Sequence, residues 1–261
     1  RDVEVPKPGP GEVLLRTRAV GICGSDVHGF LGVTGRRIPP LIMGHEAVGE
    51  IVSAGPDTSF DQARSLGPGR LVAVNPLLVC GTCEFCSRGA DNLCKNRHGL
   101  GMLTTPGAMS EFFVAPVANL VPLPDVPPAV GALSEPLAVG RHAVSLLTRY
   151  LGSVLDARVS LALIGAGFIG LSVLVALPEE AHSSVVVFDV RDDRLERVRA
   201  LLPAVTAVNT TGTTWEEVRR RYAPDGFDAV LEVVGRGSTA QGSVELVRTG
   251  GVVVWVGNWE P

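Results

Sequence analysis

Lysine is nearly absent: Lys7 and Lys95 stand alone among 23 basic residues in a chain of 261. So few lysines leave little material for Schiff-base chemistry, and no G-x4-G-K-[ST] phosphate loop occurs, which removes two large enzyme classes. The arginines form no basic block, and the formal net charge of -4 argues against a nucleic-acid surface. No signal peptide or targeting motif is visible, and cysteine is scarce, with five residues and no even disulfide framework. These features point to a reducing compartment, the cytoplasm by default. The longest run without charge, residues 159–177, carries three glycines at its centre, which argues against a membrane span. The chain starts at Arg1 rather than methionine, so an N-terminal piece is expected to be missing.

Four of the five cysteines, Cys80, Cys83, Cys86 and Cys94, stand in a C-x2-C-x2-C-x7-C run. Thiolates so closely spaced on a glycine-bearing loop converge on one ion about 2.3 Å from each sulfur, whereas pairwise disulfides at these separations are strained. A structural zinc is the expectation; an iron–sulfur cluster also takes four thiolates and is the rival. A closed four-sulfur site has no open position and is assigned no chemistry.

The length suits two domains. Up to about residue 125 the pattern is short strands and turns, with strands expected at 12–20, 47–54, 70–74, 111–115 and 119–122. Residues 122–128 are proline-rich and read as a linker, and 129–150 have helical spacing interrupted by Pro136. Strand–helix alternation then sets in. Strands are expected at 159–164, 185–189, 204–209, 228–234 and 251–256, with helices at 168–177, 191–202, 214–222 and 238–247. That rhythm predicts an α/β chain whose second half is a doubly wound parallel sheet, with domains at 1–128 and 129–261.

Gly165-Ala166-Gly167-Phe168-Ile169-Gly170 is a G-x-G-x-x-G where a strand hands over to a helix, and Asp189 ends the next strand. Gly165 permits the tight turn, Gly167 lets backbone amides approach a pyrophosphate, and Gly170 lets helix and sheet lie close. The Asp189 carboxylate suits the adenosine ribose hydroxyls and repels a 2′-phosphate, so NAD is favoured over NADP; Arg191 is a guanidinium that could hold that phosphate. Phe168, Ile169 and Arg194 complete the expected cofactor-binding set. A structural turn without a nucleotide is the bland alternative.

Upstream, Cys23-Gly24-Ser25-Asp26-Val27-His28 and Gly44-His45-Glu46 collect a thiol, imidazoles and carboxylates, and Glu135 adds another acid before Pro136. Taken singly, each has an ordinary reading in a core or on a surface. Together, Cys, His and a carboxylate match the ligand set of a catalytic zinc with an exchangeable position. Adjacent strand residues face opposite ways, so His45 and Glu46 reach one metal only if the backbone bends there.

These segments, with the four-cysteine loop, Ser134-Glu135-Pro136-Leu137-Ala138-Val139 and the glycine turn, resemble the medium-chain dehydrogenase/reductase superfamily in its zinc-containing polyol and threonine dehydrogenase branch. The resemblance covers nearly the whole chain. It implies a GroES-like catalytic domain followed by a Rossmann domain, two zinc ions and NAD. By it, Cys23 and His45 are catalytic-zinc ligands, Glu46 and Glu135 share the remaining positions with water or substrate, and Asp26 orients the His45 ring. Glu135 is expected at a helix N-cap ahead of Pro136.

The implied reaction is oxidation of a secondary alcohol or polyol, with hydride passing to nicotinamide, or the reverse reduction of a ketone. By the same resemblance, Ser25 would take the alcohol proton and pass it by way of the cofactor ribose to His28. An L-threonine 3-dehydrogenase is the alternative within the class; it needs a cation for the substrate carboxylate, with Arg36, Arg37 and Arg141 as candidates. A non-catalytic nucleotide-binding protein is the alternative outside it. Relatives continue beyond Gly257-Asn258-Trp259-Glu260-Pro261, so a fragment or a shortened paralogue is expected. The complete protein is expected to be a homodimer or homotetramer.

Overall fold

The computed structural model describes residues 2–60, 65–152 and 155–258, and the chain divides into two compact units, Arg1–Glu135 and Pro136–Pro261. In the first unit lie β1 (Glu12–Gly21), α1 (Gly24–Phe30), β2 (Glu46–Ala54), β3 (Leu71–Val74), β4 (Leu77–Leu78), β5 (His98–Gly99), β6 (Phe112–Pro116), β7 (Leu120–Pro122) and α2 (Pro128–Gly131). Helix α3 (Ser134–Leu151) begins at the boundary. The main sheet runs β6-β1-β2-β3-β7 with every pairing antiparallel. Alternation along β1 sends Val13 and Leu15 into a core with Ile51, Val72, Phe113 and Leu120. Two register shifts bend β1, between Leu14 and Leu15 and between Thr17 and Ala19.

The boundary falls after Glu135 rather than after residue 128, for a packing reason. Residues 120–122 form the strand β7, and Leu123 and Ala132 are buried with Val48 and Ala73, so the proline-rich segment belongs to the first unit's core instead of linking two bodies. Gly131 lies so close to Leu123 and Val48 that a methyl group there would stand 2.5 Å and 3.0 Å from them.

The second unit continues with β8 (Leu161–Ile164), α4 (Phe168–Ala176), β9 (Val185–Asp189), α5 (Asp192–Leu201), β10 (Thr206–Asn209), α6 (Trp215–Tyr222), β11 (Phe227–Glu232), α7 (Gly237–Leu246) and β12 (Val247–Trp255). Its strands run in the order β10-β9-β8-β11-β12, all parallel. Every residue of β8 is buried because both sheet faces are covered: Leu161 and Leu163 pack into one cluster, Ala162 and Ile164 into the other. The uncharged run 159–177 is this central strand, its turn and α4; among the described residues no helix is long and apolar enough to cross a membrane. The strand order reverses at β8, which opens the crevice used for ligands in such sheets.

Candidate metal centres and dinucleotide turn

The four cysteine sulfurs converge as the spacing predicted. Cys83 and Cys86 Sγ lie 3.5 Å apart, Cys80 and Cys94 3.6 Å, and Cys80 and Cys86 4.0 Å. A tetrahedron of Zn–S bonds of about 2.3 Å has edges of about 3.8 Å, so the sulfurs already stand where one zinc would hold them. An iron–sulfur cluster spreads its four cysteines over two or more irons, and cysteines on different irons stand further apart than these. None of the sulfurs is in a disulfide. Backbone amides of Thr82 and Cys83 push the Cys80 thiol down to about 6, while burial and the neighbouring sulfurs push Cys86 up to about 12. Cys80 and Cys83 are drawn toward the thiolate while Cys86 is held from it, a conflict that a dication removes.

The second cluster is assembled from three places. Cys23 precedes α1, a seven-residue helix that the sequence left unassigned because two glycines, Gly24 and Gly29, weaken its helical signal. Cys23 stands at its N-cap, where its backbone N–H donates to Asp26 Oδ2 at 3.3 Å. His45 lies just ahead of β2 and Glu46 opens that strand. Gly44 adopts φ 99°, a left-handed turn in which a side chain would collide with Met109 and Val20. This is the bend that lets successive residues serve one centre: His45 is outside the strand, and strand alternation does not govern it.

Potential ligand atoms of Cys23, His45 and Glu46 all lie within 4.8 Å of one another. Asp26 is buried beneath them, with His45 Nδ1 3.5 Å from Asp26 Oδ1, which leaves Nε2 as the nitrogen available to the cluster. Burial pushes His45 down, but Asp26 and the Cys23 sulfur outweigh it and hold the imidazolium up to about 10. Burial raises Cys23, yet hydrogen bonds from His45 and Ser25 bring the thiol below its ordinary value. Glu46 and Glu135 are both pushed above the usual carboxylate range by burial, only partly opposed by the His45 charge. A half-buried thiol, a buried imidazole and a half-buried carboxyl whose ionisations pull against one another form a donor set that fits a catalytic zinc.

Glu135 is outside the close set of three, although its carboxyl feels the charges of His45, Glu46 and Asp26. It sits in the first turn of α3, which begins at Ser134, so it is inside the helix rather than at the expected N-cap. Ser25 and His28 both lie on α1; Ser25 is half-buried and His28 exposed. Arg37, named above only as a candidate cation for a substrate, is buried and bonded to Asp26 and Ser25.

In the second unit the glycine turn has the geometry its motif demands. Gly165 has φ 111°, and a methyl group on it would stand 2.8 Å and 2.9 Å from Val234 and Val233. One on Gly170 would stand 2.1 Å from the Gly165 carbonyl oxygen, so the helix start approaches the turn as closely as only glycine allows. Phe168 and Ile169 occupy the first turn of α4, whose N-cap is Gly167. Asp189 ends β9, where Oδ2 accepts the Ala166 amide at 2.8 Å and Oδ1 the Arg191 amide at 3.0 Å. Arg194 NH1 is 3.5 Å from the same carboxylate, while the Arg191 guanidinium is spent on Asp193. Glu232, which sequence reasoning missed, is fully buried at the end of β11; its Oε1 accepts from the amides of Val234 and Gly235 and from the Thr239 hydroxyl. The signal was a glutamate ending an apolar strand.

Comparison with known proteins agrees with both halves. Residues 9–125 match the alcohol dehydrogenase GroES-like domain, and residues 169–261 match the zinc-binding dehydrogenase domain. L-galactonate-5-dehydrogenase of Escherichia coli K12 is 32% identical over 254 residues, covering 97% of this chain and 71% of the relative. A zinc-binding dehydrogenase structure from Sinorhizobium meliloti 1021, bound to NADP, superposes with a TM-score of 0.82 at 30% identity, covering 100% of this chain and 73% of that one. An alcohol dehydrogenase from E. coli CFT073 in complex with NADH superposes with a TM-score of 0.83 at 28% identity, covering 97% and 71%. The chain therefore belongs to the zinc-containing alcohol and polyol dehydrogenases of the medium-chain dehydrogenase/reductase superfamily.

Proposed function

We propose that this protein is an NAD-dependent polyol or secondary-alcohol dehydrogenase that holds two zinc ions, a structural one at Cys80, Cys83, Cys86 and Cys94 and a catalytic one at Cys23, His45 and Glu46. The observation that carries the reading is the convergence of Cys23, His45 and Glu46 within 4.8 Å above a buried Asp26. When bound, the catalytic zinc supplies Lewis acidity toward the alcohol oxygen and the nicotinamide supplies the hydride acceptor.

The chain's own groups do the rest. Asp26 orients the His45 ring through Nδ1, and the Gly44 turn aims His45 and Glu46 at one point. Glu135, whose carboxyl burial pushes above the usual carboxylate range, is a further carboxyl that can exchange with Glu46 or with water. Ser25 takes the proton of the bound alcohol, and His28, at the exposed side of α1, delivers it to solvent. In the second unit, the amides of the glycine turn receive the pyrophosphate of the dinucleotide. Asp189, with Arg194 beside it, favours ribose hydroxyls over a 2′-phosphate, because its charge stands beside the turn and the Arg191 guanidinium is already paired.

L-threonine remains the alternative substrate within the class. Of the three cations considered for its carboxylate, Arg37 is engaged by Asp26 and Ser25, whereas Arg36 lines an open cleft of about 420 Å³ with Arg97 and His98. We further propose a cytoplasmic homodimer or homotetramer.

Elemental analysis joined to dinucleotide titration tests the reading. Two zincs per chain, falling to one in Cys23→Ser with NAD still bound more tightly than NADP, is the expected result. A zinc content of one that Cys23→Ser leaves unchanged would refute the catalytic centre, and a screen of polyols, diols and L-threonine then separates a silent paralogue from an enzyme.

A further inference from the structure

Arg37 is a buried charge with no part in the reaction as described. Its side chain is 4% exposed and that of its partner Asp26 is 2% exposed. A single nitrogen, NH2, donates to Asp26 Oδ1 at 2.9 Å and to Ser25 Oγ at 3.2 Å. That same Asp26 oxygen faces His45 Nδ1 at 3.5 Å, and the other carboxylate oxygen accepts the Cys23 amide. We infer that Arg37 is a positioning residue for both halves of the site, fixing the Ser25 oxygen and, through Asp26, the ring of His45. The inference rests on the metal reading of Cys23, His45 and Glu46.

The fold is arranged around this side chain. Gly29 lies over the Arg37 stem, and a methyl group there would stand 2.2 Å from Arg37 Cγ, so α1 can cross the arginine only through a glycine. The Arg37 backbone is held by Leu103, whose amide donates to the Arg36 carbonyl at 2.9 Å and whose carbonyl accepts from Ile38 at 3.1 Å. A side chain pinned at both ends places its planar donors where the fold dictates.

The chemistry of the donors gives the placement its use. A guanidinium has no acceptor, so the Ser25 oxygen must accept from Arg37. One lone pair is thereby spent, leaving one lone pair and the O–H, which is what a hydroxyl needs to accept a proton on one side and donate on the other. The oxygen is held by Arg37 on one side while its O–H is directed at the Cys23 sulfur on the other. On the other side, Arg37 balances the buried charge of Asp26, so the carboxylate keeps its orientation toward His45 rather than turning to another partner. A lysine offers a point charge on a flexible stem and does not reproduce this two-acceptor geometry.

Arg37→Met, Arg37→Lys and Arg37→Ala in the full chain test the inference. Cobalt(II) replaces zinc, and the visible spectrum of each protein minus that of its Cys23→Ser counterpart isolates the His45 centre. In Arg37→Met the expected result is a shifted cobalt spectrum, with kcat on the best alcohol lower by about tenfold to a hundredfold, the range seen for groups that orient metal ligands. The KM for the dinucleotide should not move. Added guanidinium should restore part of kcat to Arg37→Ala, and Arg37→Lys should keep the melting temperature but not the kcat. If Arg37→Met or Arg37→Lys kept the wild-type cobalt spectrum and kcat while only stability changed, Arg37 would be a structural staple and the inference would be overturned. A wild type whose cobalt spectrum equals that of its own Cys23→Ser form would instead overturn the metal reading, and the inference with it.

Discussion

Gly21 leaves the space that Glu46 occupies: the two are cross-strand partners on β1 and β2, and a methyl group at Gly21 would stand 2.0 Å from Glu46 Oε2 and 3.0 Å from its Cβ. The backbone at Gly21 is not left-handed, so alanine is tolerated there by the chain itself. Gly21→Ala is therefore expected to displace the Glu46 carboxylate without unfolding the protein. Turnover should fall at least tenfold with the melting temperature nearly unchanged; unchanged turnover would remove Glu46 from the centre.

Zinc binding at the Cys23 centre should release protons. In the metal-free protein the imidazolium of His45 persists to about 10, because Asp26 and Cys23 outweigh its burial. A zinc ligand must lose that proton, so apparent affinity rises with pH below that value. Titration of zinc into weakly buffered metal-free protein at pH 8 should yield at least one proton more than in His45→Ala. The sign for stability is the opposite. A raised histidine contributes fully below its unfolded value of about 6.5, and the contribution is lost as pH rises through the folded value. The metal-free protein should therefore weaken toward pH 10, where the zinc-loaded protein does not.

Cys94→Ser should cost one zinc per chain and leave dinucleotide affinity intact, because Cys94 belongs to the four-sulfur set of the first unit. Elemental analysis and NAD titration on one sample decide it; a retained second zinc would mean that three sulfurs suffice.

Gly170→Ala meets a backbone oxygen, that of Gly165, at 2.1 Å, and a backbone atom cannot step aside as a flexible side chain does. The glycine turn should open and dinucleotide affinity should drop at least tenfold, with zinc content unchanged. Calorimetric titration with NAD checks this, and wild-type affinity would show that the amides of the turn do not hold the pyrophosphate.

Phe188 is fully buried and makes edge-to-face contacts with Trp215, Tyr222 and Phe227 at centroid distances of 6.3, 5.9 and 6.2 Å. Phe188→Ala is expected to destabilise the second unit by about 3–5 kcal/mol, as large aromatic truncations in cores do. Urea unfolding followed by tryptophan fluorescence measures it.

Local pattern determined most of this protein. Period-two and strand–helix rhythms located nine of the main strands to within a few residues, because buried faces repeat along the chain and can be read from it. Strand β12 starts four residues earlier than expected, at Val247, since its first residues, with Gly250 at φ 74°, carry no apolar alternation. The four-cysteine loop and the glycine turn were legible for the same reason: their ligands or amides are neighbours in sequence. What only the tertiary structure decided concerns residues far apart in the chain. The packing of the Gly44 turn against Val20 and Met109, the space that Gly21 leaves for Glu46, and the Arg37 guanidinium joining Ser25 to Asp26 each arise where separate segments meet. A contact between segments costs chain entropy and is repaid by packing and charge pairing that no single stretch of sequence contains, so it appears only once the chain has folded.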